Sequence, residues 1–320
     1  MSNILETISS IGIVPVIKID NAANAVPLAR ALVAGGIPCA EITFRTSEGV
    51  EAISRISKEV PDCLVGAGTV LTTEQVDKAI AVGAKFVVSP GFNSTVVAYA
   101  MEKGIPVFPG CSSPSDMEKA IEMGLDVVKF FPAEQSGGLA YIKAVSAPYP
   151  MLQFMPTGGI NADNISGYLS FDKIVACGGS WMVKSDLIND GKYDEISRLC
   201  SEAIEKMLGF ELRHIGINTN SPDEIASITD SFEAMFGFAK KIGNSSDFAG
   251  QYIEVMKTKR IGTHGHIAIA TNDIVRAKAY LERRGYSFNL ESANLDSKGK
   301  LVSIYLQDEV GGFAIHLLRK

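Results

Sequence analysis

The segment Leu125-Asp-Val-Val-Lys-Phe-Phe-Pro132 combines the apolar character of a buried strand with a charge that such a strand should not carry. Lysine is rarely buried without a partner, because an ammonium group removed from water is unfavourable and tends to lose its proton. A neutral amine is a nucleophile that forms Schiff bases with ketones. Lys129 therefore predicts covalent carbonyl chemistry, and a lysine that extends from a strand end to solvent is the alternative.

The surrounding sequence repeats a short apolar strand followed by an amphipathic helical stretch, from residue 11 to about residue 180. Strands alternating with helices indicate parallel βαβ units, and eight such units predict a closed (β/α)8 barrel of the TIM type. An open, doubly wound sheet is disfavoured because Gly66-Ala-Gly68 lacks the third glycine of a dinucleotide-binding turn. The predicted strands are Ile13–Ile17, Cys39–Phe44, Leu64–Thr69, Phe86–Pro90, Val107–Gly110, Val127–Phe131, Gln153–Gly158 and Ile174–Gly179.

Polar and charged residues gather where the second predicted strand ends. In barrels of this type, the carboxyl ends of the strands form the active site. Strand side chains alternate between faces, so Glu41, Thr43 and Arg45 point the same way. An inward orientation would set a carboxylate and a guanidinium opposite Lys129, whereas a solvated ion pair at a strand edge is the structural alternative.

Two glycine pairs, Gly158-Gly159 and Gly178-Gly179, follow the seventh and eighth strands. These are the positions at which barrels commonly hold phosphate through backbone amides. Ser180 would add a hydroxyl donor. Tight strand-to-helix turns are the structural alternative for these glycines.

Composition limits the partners of the chain. The 320 residues are 46% hydrophobic and 21% charged, which is typical of a globular protein. A net charge of −6 argues against nucleic acid or an anionic membrane surface as a partner, so an anionic substrate needs a local positive site. The five cysteines lack metal-ligand or redox-pair spacing, and no bilayer-spanning run or signal peptide is found, so a cytoplasmic location is expected.

Through motifs at the ends of the predicted strands, residues 11 to about 205 resemble the 2-keto-3-deoxy-6-phosphogluconate (KDPG) and 4-hydroxy-2-oxoglutarate (KHG) aldolase family. Any one of the shared motifs is weak, but the ordered set on eight successive strand ends is specific. The motifs are Val14-Pro-Val-Ile17, Leu32-Val-Ala-Gly-Gly36, Glu41-Ile-Thr-Phe-Arg45, Val65-Gly-Ala-Gly-Thr-Val70, Ser89-Pro-Gly91, Lys129-Phe-Phe-Pro-Ala-Glu134, Pro156-Thr-Gly-Gly-Ile160 and Gly178-Gly-Ser-Trp181.

The resemblance implies a class I lyase of the Entner–Doudoroff pathway that needs no cofactor and forms trimers. Carried over by position, it makes Lys129 the Schiff-base residue and Glu41 the general acid and base. Arg45 and Thr69 would hold the carboxylate of the substrate. The remaining implied contacts are the pocket walls Pro90 and Phe131, and the phosphate-end residues Thr157, Gly158, Gly159, Gly179 and Ser180.

A different pattern begins after residue 208, so we predict a barrel domain over residues 1–208 and a second domain over 209–320. The second domain is expected to be α+β, with a βαβββ order in two halves. Its predicted strands and helices are Leu212–Asn218, Pro222–Phe236, Tyr252–Lys257, His266–Ala270, Ile274–Arg284, Val302–Gln307 and Phe313–Leu318.

This second domain is similar to the vicinal-oxygen-chelate group, which includes glyoxalase I. In that group, two histidines and two carboxylates from four strands hold a divalent metal, and the corresponding residues here are His214, Glu254, His266 and His316. His316 stands where the group usually has glutamate. Two interpretations stay open, a metal centre and an oligomerisation or regulatory module.

Two functions from different classes follow. The first is an aldolase that cleaves phosphorylated KDPG to pyruvate and glyceraldehyde 3-phosphate, and in addition KHG to pyruvate and glyoxylate. The second is a phosphosugar-binding or sensory barrel whose C-terminal domain carries a metal-dependent activity.

Overall fold

A computed structural model describes residues 2–320 of the chain. The chain divides into two compact units, residues up to Met207 and Leu208–Lys320. The sequence places the boundary between residues 208 and 209, at the end of the same helix.

The N-terminal unit alternates strands and helices along most of its length. Its strands are β1 (Ile13–Ile17), β2 (Cys39–Thr43), β3 (Leu64–Gly68), β4 (Val87–Val88), β5 (Val107–Phe108), β6 (Gly110–Cys111), β7 (Val127–Phe130), β8 (Gln153–Pro156) and β9 (Cys177–Gly179). Its helices are α1 (Ser2–Ile11), α2 (Ala25–Ala34), α3 (Gly49–Glu59), α4 (Thr73–Ala81), α5 (Ser94–Glu102), α6 (Pro114–Glu122), α7 (Gly138–Ser146), α8 (Ile165–Leu169), α9 (Ser185–Asn189) and α10 (Tyr193–Leu208).

The strands pair in parallel around a ring. One sheet runs β5-β4-β3-β2-β1-β9, and a second runs β6-β7-β8. Short parallel bridges, Phe154 with Ile174 and Thr157 with Gly178, connect the β8 and β9 segments. At the other junction, β5 and β6 form one predicted strand that Pro109 interrupts, because proline has no N–H to donate. The ring confirms the predicted α/β barrel.

Large apolar side chains are buried in the core of this unit, and a local signal fixes where α6 begins. Phe86, Phe130 and Phe154 are fully buried. Ser113 and Asp116 form a reciprocal capping box at the start of α6, so the first turn of that helix has satisfied donors. This cap fixes the start of α6 shortly after β6 ends.

The C-terminal unit is a mixed sheet with two helices among the described residues. Its strands are β10 (Glu211–Ile217), β11 (Lys240–Ile242), β12 (Ser246–Ala249), β13 (Ile253–Met256), β14 (Gly265–Thr271), β15 (Phe288–Leu295), β16 (Leu301–Val310) and β17 (Phe313–Arg319). Its helices are α11 (Pro222–Phe236) and α12 (Ile274–Arg283).

These strands form one sheet in the order β11-β12-β13-β10-β14-β17-β16-β15. Each half has the order strand, helix and three strands, and the two halves meet where β10 runs antiparallel to β14. The sequence missed β11, β12 and β15, which are short or carry polar residues on both faces. It also missed α1, which precedes the first repeat.

None of the helices described within residues 2–320 has the length and apolar character needed to cross a membrane.

Candidate active site

Lys129 lies on β7 inside the barrel, and 5% of its surface is exposed. Its backbone N–H donates to the carbonyl oxygen of Pro109 on the preceding strand, which fixes the lysine within the sheet. The ammonium or amine nitrogen, Nζ, lies 3.5 Å from Oε1 of Glu41. It also lies 5.3 Å from the centre of the Phe131 ring. The amine is thus buried between a carboxylate and an aromatic face, and it does not extend to solvent.

Glu41 lies on β2 and is 1% exposed. Its neighbour on β3 is Gly66, and Gly68 follows two residues later. A Cβ atom at Gly68 would collide with the Glu41 side chain, so glycine at this position makes room for the carboxylate. The second oxygen of Glu41, Oε2, is buried and has no hydrogen-bond partner among the described residues. This oxygen is an acceptor without a protein donor, which suits a group that exchanges protons with a bound molecule.

Arg45 is held at the rim of the cavity by a short chain of hydrogen bonds. Thr43 Oγ1 donates to the carbonyl oxygen of Ile17 at 2.8 Å. Arg45 Nε in turn donates to Thr43 Oγ1 at 3.1 Å. The guanidinium remains exposed on its other side, so its remaining donors can bind an anion. The alternation of side chains on β2 indicates that Thr43 shares this face, but its supporting role depends on the fold.

Thr69 adopts an unusual backbone conformation directly after β3. Its φ is 56°, which is rare for a residue other than glycine, asparagine or aspartate. Such conformations cluster at functional sites, where the surrounding structure holds them in place. No sequence pattern predicts this conformation, although Thr69 lies within one of the family motifs.

The part of the cavity at the carboxyl ends of β8 and β9, called the distal end, is rich in glycine. Gly158 and Gly159 have φ values of 102° and 78°, in the left-handed region that favours glycine. Gly178 lies opposite Thr157 in the sheet, and a Cβ atom there would collide with the threonine side chain. Thr157 Oγ1 is buried without a hydrogen-bond partner among residues 2–320. This end therefore offers a polar hydroxyl and closely approaching backbone.

One cavity of about 310 Å³ brings these side chains together. Every residue that the family resemblance assigns to the barrel site lines it, and so do Val16, Thr43 and Ile160, whereas Gly178 of the second glycine pair is not among the lining residues. Val16 and Ile160 fall inside two of the family motifs, but as apolar residues they carry no chemical signal of their own. The residues that line the cavity are Val16, Glu41, Thr43, Arg45, Thr69, Pro90, Lys129, Phe131, Thr157, Gly158, Gly159, Ile160, Gly179 and Ser180.

A second cluster lies in the C-terminal unit. His214, His266 and His316 have ring nitrogens within 4.8 Å of one another. Oε2 of Glu254 lies 3.2 Å from His214 Nε2 and 3.1 Å from His266 Nε2. The other carboxylate oxygen, Oε1, accepts a hydrogen bond of 2.5 Å from Ser246. The four residues that the sequence selected from four separate strands therefore converge.

Burial and contacts set the charges in this cluster. Burial alone would raise the pKa of Glu254, but hydrogen bonds from His214, His266 and Ser246 outweigh it and hold the pKa well below its usual range. Burial, together with the nearby His266 and His214, lowers the pKa of His316 to about 3. Glu254 is therefore an anion and His316 a neutral imidazole near neutral pH. Both are in the protonation state that a cation requires of its ligands.

The barrel cavity defines a class of protein. A buried lysine beside a buried carboxylate, at the carboxyl ends of parallel strands, is the arrangement of a Schiff-base-forming barrel enzyme. The family model for KDPG and KHG aldolase matches residues 4–199. The chain therefore belongs to the KDPG and KHG aldolase family, as its motifs predict.

Curated and solved relatives agree with this assignment. The 2-dehydro-3-deoxy-phosphogluconate aldolase of Treponema pallidum is 46% identical over 205 residues, which are 64% of this chain and 98% of the relative. The crystal structure of KDPG aldolase from Legionella pneumophila, with pyruvate captured as a covalent carbinolamine intermediate, has a TM-score of 0.61 at 36% identity. It matches 63% of this chain and 99% of its own.

A second solved relative binds a phosphorylated compound. It is the KDPG aldolase of Zymomonas mobilis with 3-phosphoglycerate, which has a TM-score of 0.58 at 38% identity and matches 62% of this chain and 94% of its own. The family model ends at residue 199 and therefore does not reach the C-terminal unit.

The space at Gly68 gives a structural test of the buried pair. We expect Gly68→Ala to displace the Glu41 carboxylate and to lower the free energy of unfolding by about 1 to 3 kcal/mol through overpacking. Gly91→Ala is the matched control, because a Cβ atom there meets no atom within 4 Å. Urea denaturation of both variants measures the difference. Equal stability of the two variants would contradict the close fit of Glu41 against β3.

Proposed function

We propose that this protein is a class I aldolase that cleaves KDPG to pyruvate and glyceraldehyde 3-phosphate. The observation that carries the proposal is the buried contact between Lys129 and Glu41, at 3.5 Å, inside a barrel of this family. A buried amine that reacts as a nucleophile needs an adjacent group to move protons, and Glu41 is the carboxylate within reach of it. Binding without chemistry would not require this pair.

The proposed reaction begins when the neutral amine of Lys129 attacks the C2 ketone of the substrate. Glu41 transfers protons so that the resulting carbinolamine loses water and becomes a protonated imine. Glu41 then removes the proton from the C4 hydroxyl, the bond between C3 and C4 breaks, and its electron pair moves into the imine. Glyceraldehyde 3-phosphate leaves, and the enamine of pyruvate remains on Lys129. Protonation of C3 and hydrolysis of the imine release pyruvate and restore the amine.

The proposed substrate contacts follow the length of the cavity. Arg45 binds the carboxylate beside the ketone, because a planar guanidinium matches a carboxylate through two parallel hydrogen bonds. Thr69 adds a hydroxyl at the same end. The walls are Pro90 and Phe131, and the distal phosphate lies against Thr157, Gly158, Gly159, Gly179 and Ser180.

A second substrate, KHG, is included in the proposal. It has the same pyruvoyl half as KDPG, so the contacts at Lys129, Glu41 and Arg45 apply unchanged, and cleavage gives pyruvate and glyoxylate. The dual name of the matching family supports this activity. The rival function, a sensory barrel that only binds phosphosugars, is not favoured.

We further propose that the protein is a cytoplasmic trimer. Trimers are the expectation from the resemblance to this aldolase family, and the five buried cysteines, which have neither redox-pair nor metal-ligand spacing, suit a reducing compartment.

A cleavage assay tests the proposed activity. We expect Lys129→Ala to abolish pyruvate release from KDPG, because Lys129 is the only lysine among the described residues that line the cavity. Glu41→Gln should lower kcat by about 10²-fold to 10⁴-fold, the usual contribution of a positioned acid or base.

The matched control for this assay is Lys85→Ala, which removes an exposed lysine at the amino end of β4. It should retain the wild-type rate. Full turnover by Lys129→Ala, or an equal loss in Lys85→Ala, would exclude the proposed mechanism. The ratio of the cleavage rates of KDPG and its unphosphorylated analogue, measured in the same assay, gives the contribution of the proposed phosphate contacts at the distal glycines.

We also propose that residues 209–320 form a glyoxalase-like domain that holds a divalent metal at His214, Glu254, His266 and His316. Both ring nitrogens of His316 are buried without a hydrogen-bond partner among the described residues, as is His266 Nδ1. Buried polar groups that lack a protein partner commonly bind an ordered water or an ion. Imidazole and carboxylate together are a suitable donor set, and a bound metal would supply Lewis-acid polarisation of an oxygen ligand.

Metal uptake tests this second proposal. We expect the full chain to bind about one divalent ion per chain, as in other sites of this donor type, and His214→Ala to lose it. His264→Ala is the control, because His264 is exposed and lies outside the cluster. Equilibrium dialysis followed by elemental analysis gives the metal content. No metal uptake by the wild type would contradict the metal site and favour the alternative, in which the domain is an oligomerisation or regulatory module.

A further inference from the structure

A turn over residues 157–160 forms one wall of the distal end, and its carbonyl oxygens are held by hydrogen bonds. Two backbone N–H groups that follow β7 donate to the first two carbonyls, Ala133 to Thr157 at 2.8 Å and Glu134 to Gly158 at 3.1 Å. The third carbonyl, that of Gly159, has no backbone donor among residues 2–320. Its orientation therefore depends on a side chain.

Asn164 supplies this donor. Its Nδ2 donates to the carbonyl oxygen of Gly159 at 3.0 Å, and its Oδ1 accepts from the N–H of Asn161 at 2.9 Å. Both halves of the amide thus have the partner that they require. Nδ2 of Asn161 lies 3.5 Å from the same carbonyl oxygen, which is a weaker contact. Asn164 is therefore the main side chain that orients the peptide group after Gly159.

The orientation of the Gly159 carbonyl determines where the next N–H points. In a planar trans peptide, the C=O of one residue and the N–H of the next point in opposite directions. The N–H of Ile160 therefore points away from Asn164, and Ile160 lines the cavity. No hydrogen bond within the described residues uses the N–H of Gly159 or of Ile160. Two successive donors are thus available to a bound anion.

The glycines make this turn dependent on the hydrogen bond from Asn164. Glycine adopts positive and negative φ about equally well, so a peptide group beside Gly159 can reorient at little cost. A bulkier residue could not restrict it, because a Cβ atom at Gly159 would collide with the side chain of Glu134. The Asn164 amide therefore selects one orientation of a turn that is otherwise adaptable.

The direction of these donors matters because the distal end has no cation. None of the described residues that line this end carries a charged side chain. Thr157 contributes a buried hydroxyl without a hydrogen-bond partner among residues 2–320. An anion here is bound by neutral N–H and O–H dipoles, and such dipoles are effective only when they are fixed toward it.

We propose that Asn164 is a positioning residue for the phosphate end, where it orients the peptide group after Gly159 so that the Ile160 N–H donates to the substrate phosphate. It thereby favours phosphorylated over unphosphorylated 2-oxo acids. This inference rests on the proposed aldolase function and deepens it, because it adds a donor and the support of that donor to the proposed phosphate contacts.

The test compares cleavage of KDPG with cleavage of its unphosphorylated analogue by the full chain. In Asn164→Ala, we expect the ratio of the two kcat/KM values, KDPG over analogue, to fall by about tenfold or more, as for a lost hydrogen bond to a charged group. The kcat for KDPG should stay within about twofold of wild type, because the reacting groups are unchanged and only binding is weakened.

Two aspartate variants separate the donor from the rest of the side chain. Asn164→Asp has the same shape and still accepts from Asn161, but its carboxylate cannot donate to Gly159, so the ratio should fall as in Asn164→Ala. Asn93→Asp is the matched control. Asn93 caps α5 as an acceptor, a role that aspartate keeps, and this variant adds the same charge to another loop of the barrel. It should retain the wild-type ratio.

Trapping of pyruvate on Lys129 with borohydride shows whether the rest of the site is intact. Pyruvate has no phosphate, so we expect the same amount of adduct in wild type and in both Asn164 variants. A variant that fails to fold would lose this adduct together with cleavage of both substrates.

The outcomes distinguish the inference from the proposed function. A wild-type ratio in the Asn164 variants, or an equal fall in Asn93→Asp, would overturn the inference while the aldolase stands. Loss of both substrates and of pyruvate trapping in the Asn164 variants would also overturn it, because Asn164 would then support the fold alone. Failure of the wild type to cleave either substrate would contradict the aldolase itself, and the inference with it.

Discussion

The buried contact between Lys129 and Glu41 is the constraint on which the barrel site depends. Removing two ionisable groups from water is unfavourable unless they satisfy each other, and breaking such a pair by removing one partner typically destabilises a protein by about 3 to 5 kcal/mol. The surrounding residues accommodate the buried pair. Gly68 leaves space for the carboxylate, and Pro109 anchors the backbone of the lysine. The same burial that makes the pair difficult to accommodate keeps the amine dry enough to act as a nucleophile.

Much of the barrel site could be predicted because strands have a strict period of two. Lys129 is a charge within an apolar strand, and the alternation of side chains puts Glu41, Thr43 and Arg45 on one face of β2. The eight-strand repeat predicts that the carboxyl ends of all these strands meet at one end of the barrel. The strands themselves were less predictable. The structure reduces Phe86–Pro90 to Val87–Val88, and it divides Val107–Gly110 at Pro109, which has no N–H to donate to a sheet.

Other features depend on three-dimensional packing and leave no local signal. Thr69 has a positive φ that its residue type does not suggest. Ile160 and Val16 contribute only shape. In the C-terminal unit, the sequence indicated four ligand-type residues on four strands, but their convergence requires β10 and β14 to pair at the centre of one sheet. Strands β11 and β12 were missed because Lys240–Ile242 and Ser246–Ala249 are too short to establish an alternating pattern, although Ser246 supports Glu254.

The central claim is that Lys129 forms a covalent imine with a 2-oxo acid, and reductive trapping tests it most directly. The protein is incubated with pyruvate and sodium borohydride, and the intact mass and peptide map are then measured. The account predicts one stable adduct per chain, located on Lys129 and missing from Lys129→Ala. No adduct, or an adduct distributed over exposed lysines while Lys129 stays unmodified, would contradict it.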